Sequence, residues 1–147
     1  MGLLSDVFVA TDAELAILRP GSGGPEGKFP TWRGKGIEPL KLATLEAIIT
    51  QREADSGQPT IDGELVYDWG EQWIYRFPDL LTVALAQLEP DALDQVAEEW
   101  AATEEWHLSG VDRITGRDSL RLWIDAVCKL AHLAQHENRS LYLWISL

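Results

Sequence analysis

The chain has 147 residues, 12 basic against 24 acidic, for a net charge of −12, and 46% of it is hydrophobic. That length fits one domain, which buries roughly 68–70% of the surface its unfolded form exposes, so no disulfide or metal is required to hold it together. The composition excludes a disordered chain, the single Cys128 excludes a disulfide framework and a Cys-rich zinc site, and a field of this sign opposes nucleic acid and anionic membrane while suiting a basic protein partner.

The opening residues, Met1-Gly2-Leu3-Leu4-Ser5-Asp6, carry no basic region and no long apolar core, so they do not read as a secretory signal. No stretch approaches the ~18 consecutive apolar residues of a membrane span. The expectation is a cytoplasmic protein.

Asp6 to Ala10 reads as a short Val- and Phe-rich strand. Thr11-Asp12-Ala13-Glu14 is a capping-box pattern, and a short helix should follow and end before Pro20. Gly21 to Gly36 holds six glycines and two prolines and reads as a surface loop. Its segment Gly21 to Lys28 fails as a phosphate loop: Ser22 stands at the first glycine position, Phe29 follows the lysine, and Glu26 would repel a phosphate.

Pro39 suits the first position of a helix whose stripe is Leu42, Leu45, Ile48 and Ile49. Gln51 to Gly63 is polar and reads as a second loop. Glu64 to Asp68 and Gln72 to Phe77 read as a hairpin around Gly70, although Trp69-Gly70-Glu71 is not a favoured two-residue turn and leaves the register open. Pro78 starts a helix that buries Leu80, Leu81, Ala84, Leu85 and Leu88. Pro90 opens another that runs to about Thr103.

The last helix spans Asp118 to His136. Leu120, Trp123, Ile124, Val127 and Ala131 form its stripe, and Leu122, Ala126, Leu130 and Leu133 widen it, so it should pack centrally. In Leu141 to Leu147, apolar residues alternate as in a half-buried strand that pairs with the N-terminal one. The fold class is therefore α+β: a single domain over 1–147, with a small sheet that includes both terminal strands and about five helices.

The order of an opening strand with Thr11-Asp12-Ala13-Glu14-Leu15, the helix Lys41 to Thr50, and a closing helix with Leu141 to Leu147 resembles the YfbM-like family of small uncharacterised bacterial proteins. The resemblance implies a fold and carries no functional residues. The density of tryptophan departs from that family's pattern.

Four groups of residues are candidates for function. His132 and His136 lie one turn apart, a spacing that can hold a metal, with Asp125 on the same face. Against this, Arg121 and Lys129 share the face and should pair with Asp125, and His136 also suits a helix C-terminus. Glu104 follows the side of Leu93, Ala97 and Trp100; a carboxylate facing apolar surface can act as a general acid, with His107 close enough to cooperate. Against that stands a helix ending near Thr103, with Glu104 capping a neighbouring element or meeting a basic partner.

Of seven tryptophans, Trp100 and Trp123 fall on core stripes, and Trp144 faces the other side of its strand. Trp32, Trp69 and Trp106 sit in loops or at element ends. There they either anchor a ligand or are buried by loops that fold back. Finally, residues 89–106 hold seven acids and no base, and Asp91, Asp94, Glu98 and Glu105 share a narrow arc opposite Leu93, Val96, Ala97 and Trp100.

These features point to a non-catalytic protein-binding module, immunity-like or adaptor-like, with no cofactor and with Trp32, Trp69, Asp94, Glu98, Glu105 and Trp106 at the contact. The alternative is a small hydrolase or small-molecule binding protein that uses Glu104, His107 and the Trp32 loop. A structural homo-oligomer is the third reading.

Overall fold

The two ends of the chain meet in one sheet. The computed structural model describes residues 4–19, 23–50, 64–103, 106 and 113–147. Its strands are β1 (Leu4–Ala10), β2 (Thr31–Trp32), β3 (Glu64–Asp68), β4 (Gln72–Arg76) and β5 (Ser140–Ser146), in the order β2-β1-β5-β4-β3 with every pair antiparallel. β5 lies in the middle and pairs with β1 from Ser140 opposite Ala10 to Ser146 opposite Leu4. The helices are α1 (Pro39–Thr50), α2 (Asp79–Gln87), α3 (Leu93–Ala101) and α4 (Arg113–His136), with 3-10 turns at Ala13–Ile17 and Pro90–Ala92. These are the α-helices among the described residues, and the element after Thr11, expected as a short helix, is a 3-10 turn. The polar stretch from Gln51 to Gly63 lies outside the described residues.

Alternation along the strands creates two cores. Val7, Val9, Leu141, Leu143 and Ile145 face the helices; Phe8, Ala10, Ile74, Tyr142 and Trp144 face the other way. The second face is closed by Leu15 and Leu18 near the 3-10 turn and by Phe29 of the glycine-rich loop, whose ring lies 5.6 Å from that of Phe8. The loop approaches closely at Gly24. A Cβ there would stand 3.1 Å from the Trp144 ring, and its φ of +78° belongs to glycine.

The capping box forms as the sequence predicts. Thr11 N–H donates to Glu14 Oε1 at 3.0 Å, and Glu14 N–H donates to Thr11 Oγ1 at 3.3 Å. The hairpin expected around Gly70 forms, and its open register is settled by the turn. Trp69 N–H donates to the Gln72 carbonyl at 2.9 Å, so the loop is the two residues Gly70-Glu71. Gly70, at φ +86°, takes the first central position, as a type II′ turn requires. A register shift between Leu65 and Tyr67 then bends the edge strand β3.

α4 starts at Arg113, earlier than its periodicity suggests, and touches α2, α3, β1 and β5. Its burial is one-sided: Trp123, Ile124, Val127 and Ala131 are buried, whereas Leu122 is 60% exposed. Among the described residues, no helix is long and apolar enough to cross a membrane.

Candidate functional site

The corner between α2 and α3 gathers most of the features that point outward. Leu88 adopts extended backbone after α2, and Pro90 then begins the 3-10 turn that leads into α3. The proline therefore does not open a single long helix, as the sequence reading had it. The turn sets the phase of α3. Leu93, Val96, Ala97, Trp100 and Ala101 are buried, while Asp94, Gln95, Glu98 and Glu99 are exposed, with Glu89 and Asp91 exposed on the approach.

Trp100 holds that phase. Its indole N–H donates to the Lys41 carbonyl on α1 at 3.0 Å, and its ring centroid lies 5.2 Å from Trp123 and 5.3 Å from Trp106, the latter edge-on. The acidic face is therefore mounted on a rigid aromatic cluster. One of its carboxylates is engaged by a neighbouring helix: Arg121 Nε donates to Asp94 Oδ1 at 2.5 Å. This corrects the expected pairing of Arg121 with Asp125. Asp125 meets Lys129, as expected, at 3.3 Å. Gln95 Nε2 donates to Glu99 at 3.3 Å.

Beside the corner, a groove of about 540 Å³ separates it from α4, lined by Leu88, Leu93, Asp125, Cys128, Lys129 and His132 among others. Burial, and after it the charge of Asp125, push the Cys128 thiol up to about 11. At neutral pH it is a protonated apolar lining group, not a nucleophile.

His132 and His136 are exposed on α4, and among the described residues no group of three or more His, Cys, Asp or Glu side chains is placed to hold a metal. Trp32 sits on the edge strand β2, 39% exposed. Trp69 is half-buried and stacked on Tyr67, with ring centroids 5.1 Å apart. Trp106 corrects the idea of a loop anchor, since it is buried in the core beside Trp100. Glu104, Glu105 and His107 lie outside the described residues.

Three buried charged residues escaped the sequence reading. Lys41 is 3% exposed; its ammonium donates to the Gly36 carbonyl at 2.7 Å and stands 4.2 Å from the Trp106 ring centroid. Glu46 is also buried on α1. The signal was present: Lys41 precedes Leu45 by four residues and Glu46 follows Leu42 by four, so both lie on the apolar stripe. Asp6 is buried on β1, where burial raises its pKa against the lowering effects of the Gly34 amide and Arg33.

No family model matches the chain, and neither does any curated protein or solved structure.

Proposed function

We propose that this protein is a non-catalytic binding module of the cytoplasm, adaptor-like or immunity-like, and that it takes a basic protein partner on the exposed face of α3 and the turn before it. One observation carries the reading. Asp94, Glu98 and Glu99 are exposed on a helix whose opposite side is fixed by Leu93, Val96, Ala97 and Trp100, and Asp91 is exposed on the turn before it. The helix dipole favours acids only in the first turn, so it accounts for Asp94 but not for Glu98 and Glu99. A rigid face of one sign within a chain of net charge −12 would steer a cationic partner and give it a strongly salt-dependent association rate.

The test is affinity capture from the source cells with the wild type and with Asp91→Lys/Glu99→Lys, which spares the Asp94–Arg121 pair. Basic proteins held by the wild type at low salt should be lost both at high salt and with the variant, while its melting temperature stays unchanged. Recovery of the same proteins with both forms would refute the acidic-face reading.

A further inference from the structure

We infer that the groove between the α2–α3 corner and α4 receives a bulky apolar side chain from a lysine- or arginine-rich segment of the partner. This inference deepens the acidic-face reading and rests on it. The groove has the two components that peptide recognition requires. Leu88, Leu93 and Cys128 supply apolar lining within about 540 Å³, enough for an aromatic or large aliphatic side chain to leave water. Glu89 and Asp125 supply carboxylates at the same groove, and Asp91 and Asp94 continue them onto the adjoining face.

Among the described residues, Lys129 lines the groove bound to Asp125 at 3.3 Å and Arg121 holds Asp94 on the adjoining face, which leaves Glu89 and Asp91 to set the sign. The charge that remains to the corner is therefore negative. That complementarity selects the occupant. An acidic or phosphorylated segment would be repelled, and so would a second copy of a chain with net charge −12. A basic segment without an apolar residue would meet the acids but leave the groove empty. Apolar anchors in such clefts usually contribute most of the affinity, while flanking charges govern rate and choice of partner.

Chemical-shift mapping on the whole ¹⁵N-labelled chain tests this with three pentapeptides: phenylalanine between pairs of lysines, glycine between pairs of lysines, and phenylalanine between pairs of glutamates. The first should shift the amides of residues 87–89, 91–93 and 125–132 and bind at least about fivefold tighter than the second. Glu89→Lys, an exposed change, should weaken the first peptide by at least about fivefold at an unchanged melting temperature.

If both lysine peptides bind equally and move only the exposed residues of α3, the groove has no anchoring role and the acidic-face reading alone stands. If neither lysine peptide causes shifts, both fall. Equal binding of the glutamate-flanked peptide would overturn the charge argument and the inference with it. Shifts at the groove that depend on protein concentration without peptide would assign the surface to a second copy of the chain and likewise overturn it.

Discussion

The guanidinium of Arg121 on α4 donates to the carboxylate of Asp94 in the first turn of α3, with Nε and Oδ1 2.5 Å apart. This contact ties the acidic face to the helix that packs beneath it. The Asp94 side chain is 79% exposed and that of Arg121 42%, so water and salt screen the pair strongly. A double-mutant cycle of Asp94→Ala and Arg121→Ala should give a coupling of about 0.2–1 kcal/mol that shrinks in high salt. A coupling above about 2 kcal/mol that salt does not change would mean the pair is a structural clamp, and α3 could not be altered freely without disturbing the fold.

The aromatic cluster predicts a sharp contrast between two tryptophans. Trp123 is 4% exposed and packs against Trp100, whereas Trp32 is 39% exposed on a two-residue edge strand. Trp123→Ala should cost about 3–5 kcal/mol, the usual penalty for emptying a buried aromatic site. Trp32→Ala should cost well under half of that in chemical denaturation. Equal losses would show that Trp32 serves the core and would remove it from any binding surface.

These elements also show what the sequence could convey. The alternation of Leu141, Leu143 and Ile145, with Trp144 on the other side, was legible as a strand that pairs with the N-terminal one, whereas its place in the middle of the sheet comes from β4 on its other edge. Local chemistry was equally readable where both partners are close in the chain, as in the Thr11–Glu14 capping box and the Asp125–Lys129 pair. What was not readable depends on contacts distant in sequence. Arg121 found Asp94 instead of Asp125 because α3 packs alongside α4, a relation no periodicity encodes. The place of Lys41 on the apolar stripe was legible, but the Trp106 ring that its ammonium meets was not. Of the candidate site, the exposure of the acids was legible from the stripe opposite them. The groove was not, because its second wall is the part of α4 from Asp125 onward, more than thirty residues along the chain from the α2–α3 corner.

Asp6 gives the fold a pH dependence of known sign. Burial raises its carboxyl pKa in the folded state, so the folded chain holds the proton more tightly than the unfolded chain does. Its contribution to stability is fully present below the unfolded value of about 3.9 and is lost as pH rises through the raised folded value. Asp6→Asn keeps an acceptor for the Gly34 amide and cannot ionise. Relative to the wild type, the variant should therefore gain melting temperature as pH rises from about 4 toward neutral. A difference between the two proteins that stays constant over that interval would show that Asp6 does not titrate differently on folding.

Cys128 separates a binding groove from a catalytic one. Its thiol is 8% exposed, and its pKa is pushed up to about 11, by burial first and by the Asp125 carboxylate second. At pH 8 that leaves on the order of one thiolate in a thousand, against about one in four for an unperturbed thiol near 8.5. The rarer thiolate is intrinsically more nucleophilic, since reactivity rises with basicity at a slope of about 0.4–0.5, which returns roughly a factor of ten. The net expectation is a native reaction with an aromatic disulfide reagent about twenty-fivefold slower than that of the urea-unfolded chain, with burial slowing it further. The native rate should still be climbing with pH beyond about 9, where an ordinary thiol levels off. A native rate equal to or above the unfolded one, with a plateau near neutral pH, would instead make Cys128 an activated nucleophile. The groove beside Asp125 and His132 would then have to be read as a reaction site and not as a seat for an apolar side chain.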